Sequence, residues 1–213
     1  MRSGIRFDYL LLDKDETFFR ELVKYHVSGQ LKVAPEHCSA NVLDHMGKPH
    51  IEVYERFAKK FYRFTKEASK EQYLVPYLMS SHPGSTVRDA VELALFLKKN
   101  KMRPEQVQDF YPTPGTISTC MFYTGIDPLS GKEVYVPRTD REKQRQRALL
   151  QYFKPENRRI VIEALEEIGR TDLIGTAPGC LVAPDRQYAE KMRRQKTASA
   201  PRRQTGRGPR GRR

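Results

Sequence analysis

The sequence predicts an α/β fold built on parallel strands, and two observations carry this prediction. Short apolar segments typical of strands begin near residues 31, 73 and 107, and helical patterns separate them. Strands and helices that alternate about every 40 residues are typical of parallel strands joined by right-handed crossovers. The length of 213 residues fits one ordinary domain, or one domain with a tail.

The first elements follow this alternation in order. Residues 7–30 have a helix-rich pattern, and residues 31–36 form a short apolar strand that contains a proline. Ser39 is a predicted helix N-cap, and Gly47 is a predicted helix end. Residues 51–68 predict an amphipathic helix with an aromatic stripe on one face.

A second and a third strand follow that helix. Residues 73–81 predict a strand whose interior Pro76 limits ladder bonding on one side. Residues 87–99 predict a strongly patterned helix, and residues 107–112 predict the third strand. We therefore expect residues 1–116 to form one α/β unit.

After this unit the pattern changes. Within residues 117–190 we expect an extension that contains a hairpin or arm at 122–137 and two helices, at 140–153 and 155–169. Residues 191–213 hold ten Lys or Arg and no Asp or Glu. They carry too little apolar surface to offset the entropy of ordering them, so we expect a disordered basic tail.

Charge and cysteine content narrow the classes of function. The chain has a formal charge of +13, most of which lies in the tail. Such a tail predicts either non-specific contact with RNA, DNA or an anionic membrane, or only a solvated extension, and we favour the latter. Three cysteines without a signal peptide or a clustered spacing predict a cytoplasmic protein without a sequence-local metal site. No apolar run reaches the length of a membrane span.

Polar residues follow each predicted strand. Glu36 ends the first strand, Ser80, Ser81, His82 and Gly84 follow the second. The third is followed by the segment that contains Tyr111 and Thr113. Because parallel strands end at the same edge of a sheet, we expect these residues to line one ligand site.

Two simpler interpretations apply to parts of this edge. Thr86 and Asp89 have the spacing of a helix cap, and we favour that role for them. His37, His45 and His50 do not have the spacing of a compact zinc site, so we predict no metal there. A serine hydrolase built from the turn alone is also disfavoured, since neighbouring turn residues seldom align as nucleophile and base.

Several segments together resemble one known family. They are "HVSGQLKVAPEHCSANVLDHMGKP", "YLVPYLMSSHPGST", "VQDFYPTPGTISTCMFYTGIDP" and "LIGTAPGCLVAP". In order and spacing they resemble the YgiQ family of radical S-adenosylmethionine (SAM) proteins over roughly residues 2–184. The resemblance implies the second half of a parallel (βα)6 partial barrel of the radical SAM type, followed by a small helical and extended C-terminal region.

The resemblance also implies cofactors. Radical SAM proteins use SAM and a [4Fe-4S] cluster, and they cleave SAM reductively to a 5′-deoxyadenosyl radical. By this resemblance Glu36 is placed at the ribose or methionine part of SAM. The residues Ser80, Ser81, His82 and Gly84 would shape the cofactor site, and Tyr111, Pro112 and Thr113 would meet adenine.

The cluster motif C-x-x-x-C-x-x-C of that family does not occur in the sequence. We therefore expect a fragment, from a split or truncated gene, that lacks the cluster ligands and is inactive alone. A separate chain that carries the N-terminal barrel half is its expected partner. The alternative hypothesis is a nucleic-acid or ribosome-associated protein that binds through residues 191–213.

Overall fold

Three parallel strands form the sheet in the computed structural model, which describes residues 4–199. The strands are β1 (Gln30–Glu36), β2 (Tyr73–Ser80) and β3 (Gln108–Asp109), and they lie in that order. Parallel pairing runs from Gln30 opposite Tyr73 to Val33 opposite Pro76, with a register shift before Glu36. The α/β class with parallel strands is therefore confirmed.

The third strand is much shorter than predicted. It pairs with β2 only at Met79 and Ser80, and Phe110 N–H then donates to the Ser80 carbonyl. The prediction of a strand over 107–112 was too long. In this register residues 110–112 would lie opposite residues 81–83, where the left-handed backbone of Ser81 ends the extended course of β2.

Helices surround the sheet. Within residues 4–199 these are α1 (Phe7–Leu12), α2 (Thr17–Glu21), α3 (Ala40–Met46), α4 (Ile51–Glu67), α5 (Val87–Lys99), α6 (Ile117–Thr124), α7 (Asp140–Leu150), α8 (Arg158–Glu167) and α9 (Arg186–Ser199). A π-helical turn (Leu22–His26) continues α2. No helix in the described part of the chain is long and apolar enough to cross a membrane.

Two hydrophobic clusters hold these elements together. The first is aromatic and packs α1, α2 and α4 against β1; Phe19 stacks on Phe57 with ring centroids 5.3 Å apart. The second is mostly aliphatic and packs α5 against α7 and α8, with Leu93, Leu149 and Leu165 fully buried. Burial of such side chains contributes roughly 1.5–3 kcal/mol each. The second cluster joins the α/β unit to the C-terminal region.

The C-terminal region contains two helices that the sequence pattern did not predict. α6 begins after Thr116, whose side chain accepts a hydrogen bond from Thr119 N–H, and it ends at Gly125. α9 extends across residue 191, where we expected a disordered tail to begin. Residues 200–213 of that tail lie outside the described residues. At the predicted hairpin, a single antiparallel bridge joins Ile126 and Glu133.

Candidate functional site

The carboxyl ends of β1 and β2 lie side by side and carry unusual backbone. Glu36 and Ser81 have φ angles of 68° and 65°, in the left-handed region that residues with a Cβ rarely adopt. Two other non-glycine residues, Ser69 and Lys101, also have positive φ, but they follow helices, where this conformation is common. Left-handed residues at strand ends point to a functional constraint.

The same two residues hold buried oxygens without a partner. Ser81 Oγ and Glu36 Oε2 make no hydrogen bond, and Ser81 is only 2% exposed. Glu36 Oε1 lies 3.3 Å from Lys48 Nζ. Burial raises the pKa of Glu36 above its usual value, and Lys48 offsets part of that effect. An unsatisfied buried oxygen costs about 1–3 kcal/mol, so these two oxygens lower the stability of the fold.

Ser80 is buried at the same edge, but its hydroxyl is already used. It donates to Asp109 Oδ1 at 2.6 Å, and Asp109 in turn pairs with Arg147 at 2.6 Å. This chain of contacts links β2 to β3 and to α7. Ser80 therefore closes the gap between two strands instead of presenting a free hydroxyl.

His82 is buried in the turn between β2 and α5. Its Nδ1 lies 2.7 Å from the Pro83 carbonyl, and its Nε2 lies 2.8 Å from Ser118 Oγ on α6. The ring also packs edge-on against Phe110. Burial lowers the pKa of His82 to about 4, although the Pro83 carbonyl works in the opposite direction. The imidazole is consequently neutral at pH 7, with both nitrogens occupied by the protein.

Gly84 adopts a φ of 88° in the same turn. A Cβ placed there would lie 2.7 Å from His45 Nδ1, so the close approach at Gly84 is to a side chain of α3. Gly84 N–H donates to the Tyr135 carbonyl at 2.7 Å, and its carbonyl accepts from Asn41 at 2.9 Å. The turn is fixed from both sides.

Tyr111 and Thr113 lie on the loop after β3, and both are exposed. Tyr111 is 82% exposed, and the Thr113 carbonyl accepts hydrogen bonds from the hydroxyls of Thr116 and Thr119. Of the predicted site residues, the structure thus gathers the first five at the buried edge of β1 and β2. Tyr111 and Thr113 lie exposed on the loop after β3, and within the described residues neither makes a hydrogen bond to those five.

The helix cap predicted at the start of α5 is confirmed. Thr86 and Asp89 form a reciprocal capping box. Burial works against ionisation of Asp89, but hydrogen bonds from Ser39 and Thr86 outweigh it and hold its pKa below the usual value. Ser39 does stand at the N-cap position of α3, yet its hydroxyl donates to Asp89 at 2.6 Å and caps nothing.

Two residues of the site were not predicted from the sequence. His37 is almost fully buried and accepts a hydrogen bond from Ser39 N–H at Nδ1. Burial lowers its pKa to about 4. Gln146 on α7 is fully buried and contacts the turn after β2. Its surroundings in the sequence are charged, and a charged helix gives no signal of a buried amide.

No three His, Cys, Asp or Glu side chains in residues 4–199 lie in an arrangement able to hold a metal ion. What the edge offers is a carboxylate oxygen and a hydroxyl that have no protein partner. Such a set suits hydroxyl, amino or carboxylate groups of a small organic ligand.

Comparison with known proteins gives two kinds of match. A family model described as "Domain of unknown function (DUF3362)" matches residues 105–212. Curated relatives are UPF0313 proteins: one from Clostridium perfringens (strain ATCC 13124) is 57% identical over 190 residues, and one from Clostridium botulinum (strain 657) is 58% identical over 182 residues.

These alignments cover 89% and 85% of the chain, but only 29% and 28% of the relatives. The chain therefore spans less than a third of the length of the curated relatives it matches. No solved structure matches.

Proposed function

Since the chain belongs to the family defined by this domain of unknown function (DUF3362), and its homologues are UPF0313 proteins, we propose that it forms part of the SAM-binding wall of a radical SAM enzyme. The homologues agree with the resemblance of its motifs to the YgiQ family. In this proposal the parallel sheet is a portion of a (βα)6 partial barrel.

The observation that carries the proposal is the pair of buried oxygens at the sheet edge. Ser81 Oγ and Glu36 Oε2 have no protein partner, and both belong to residues with left-handed backbone. A fold that served stability alone would gain from removing these features. Ligand groups that complete both hydrogen-bond sets would explain why they are kept.

The residues present fit SAM. A carboxylate such as Glu36 accepts hydrogen bonds from ribose hydroxyls or from an amino group, and the hydroxyl of Ser81 donates to a carboxylate or accepts from an amino group. Bound SAM supplies radical chemistry through its reductive cleavage in this class of enzyme. The part of this chain is to bind, to orient and to exclude water.

The described residues do not fit the [4Fe-4S] cluster. The three cysteines lie far apart in the sequence, and no set of three metal-ligating side chains comes together within residues 4–199. In this proposal the ligands of the cluster therefore come from a partner chain.

The test is a calorimetric titration of the chain with SAM. We expect Glu36→Gln to weaken binding about tenfold, because hydrogen bonds to a charged acceptor are stronger than those to a neutral one. Glu92→Gln is the matched control, since Glu92 also has a pKa raised by burial but lies on α5. Saturable binding that both variants weaken equally, or no binding by the folded chain, would overturn the proposal.

A further inference from the structure

One buried side chain of α7 makes hydrogen bonds to the turn after β2. Gln146 Oε1 accepts from Ser81 N–H at 3.0 Å and from the Ser85 hydroxyl at 2.7 Å. Its Nε2 donates to the Ser85 carbonyl at 2.6 Å. A single amide thus ties both ends of a five-residue turn, and Gln146 itself is fully buried.

Ser81 needs such support. A left-handed residue with a Cβ costs of order 1–3 kcal/mol and persists only where its surroundings enforce it. The hydrogen bond from Ser81 N–H to Gln146 fixes the backbone at the strained residue itself. Its Oγ is left unpaired, so the contact holds the backbone of Ser81 without using its hydroxyl.

Gln146 is one of three residues from the C-terminal region that hold this turn. Ser118 on α6 bonds His82, and the Tyr135 carbonyl accepts from Gly84 N–H. All three lie within residues 105–212, the part that matches the domain of unknown function. The C-terminal region therefore contacts the turn at three points, namely Ser81 and Ser85 together, His82, and Gly84. These contacts restrict the conformation of the turn.

We propose that this C-terminal region acts as a clamp on the turn after β2, and that Gln146 is the positioning residue that holds the Ser81 backbone and so keeps its unpaired hydroxyl at the sheet edge. The ligand's identity as SAM rests on the proposed function above. The clamp itself rests only on contacts within the chain. A role for the domain of unknown function follows: it completes the sheet edge as a binding surface.

The test compares two buried glutamines by hydrogen exchange. Gln146→Met keeps the volume of the side chain but removes all three hydrogen bonds. We expect amide exchange at Ser81 to rise about tenfold, because its N–H loses the hydrogen bond to Gln146 Oε1, with smaller rises elsewhere in residues 81–85. Gln72→Met is the control, because Gln72 is equally buried and also makes three hydrogen bonds, to Thr65, Val23 and Val27.

The control should leave exchange in residues 81–85 unchanged even where it lowers global stability. Unchanged exchange in Gln146→Met, or an equal rise in Gln72→Met, would overturn the clamp. If Gln146→Met does not fold, Ser85→Ala removes one of the same bonds and should raise exchange in this turn by a smaller factor.

A SAM titration of the same variants separates the two proposals. Weaker binding by Gln146→Met but not by Gln72→Met supports both. If the wild-type chain binds no SAM while the exchange difference holds, the clamp stands and the proposed function fails.

Discussion

Gln72 and Gln146 lie in two different regions of the molecule and each makes three hydrogen bonds. The two regions differ in whether the neighbouring buried polar groups are all paired. Gln72 joins the turn before β1 to the end of α4, beside the aromatic cluster. Within the described residues of that cluster and its flanks, no buried side-chain nitrogen or oxygen lacks a partner. Gln146 also has all its groups bonded, yet the serine it holds keeps an unpaired hydroxyl.

The difference separates buried polar groups that the protein itself satisfies from those that it leaves unpaired. Around the aromatic cluster, polar groups are buried only where the protein itself satisfies them, as folding requires. At the sheet edge, Ser81 and Glu36 combine left-handed backbone with unpaired oxygens. The edge is thus maintained at a cost in stability.

Acidification should have the largest effect, and it should act on the edge. The pKa values of His37 and His82 are lowered to about 4 by burial, below the unfolded value of 6.5. The unfolded chain therefore takes up protons first as the pH falls. We expect stability to be complete above about pH 6.5 and to fall towards pH 4, by roughly 3 kcal/mol for each histidine.

Urea unfolding at a series of pH values measures this loss. His82→Gln should remove about half of the slope, because His37 still titrates. A flat profile between pH 7 and pH 5 would contradict the burial of both rings.

Truncation of the aromatic cluster should have the next largest effect. Phe57 is fully buried and packs against Phe7, Phe19 and Phe61. We expect Phe57→Ala to lower the free energy of unfolding by about 3–5 kcal/mol, since it loses burial and leaves a cavity. Phe18→Ala, at a residue 55% exposed, should change it by less than about 0.5 kcal/mol. Equal losses in chemical denaturation would contradict this assignment of the core.

Loss of the capping box of α5 should lower the stability of the protein moderately, as the loss of a helix cap usually does. Thr86→Ala removes the side chain that accepts from Asp89 N–H, and we expect a loss of about 1 kcal/mol in thermal unfolding. Thr139→Ala breaks the corresponding box of α7 with Glu142 and serves as the matched variant. A much larger loss at Thr86 alone would mean that this residue belongs to the functional edge.

Relief of backbone strain should have the smallest effect, and it should be stabilising. Ser81→Gly should raise the free energy of unfolding by about 0.5–1 kcal/mol, because glycine adopts positive φ without steric cost. Ser69→Gly, at the end of α4, should give a similar gain. Only Ser81→Gly should weaken ligand binding. A loss of stability in Ser81→Gly would show that its hydroxyl has a structural role.

Local patterns predicted the elements that position the site. The stripe of Phe57, Phe61 and Phe64 predicted α4, and the spacing of Thr86 and Asp89 predicted the start of α5. These signals are contained within a few residues, so the sequence shows them directly.

Features that depend on distant contacts could not be predicted. β3 is short because β2 pairs with it only at Met79 and Ser80. α9 extends into a segment whose composition is typical of disorder. The unpaired hydroxyl of Ser81 and its support by Gln146 join positions 65 residues apart. No local pattern encodes such a pair.

Hydrogen exchange with and without SAM tests the central claim most directly, because it locates the ligand on the chain. We predict that SAM slows exchange at the ends of β1 and β2, in residues 36–37 and 81–85. Exchange in α4, which carries much of the aromatic cluster, should stay unchanged. Protection confined to other parts of the chain, or no protection at saturating SAM, would contradict the account of this edge as a ligand-binding surface.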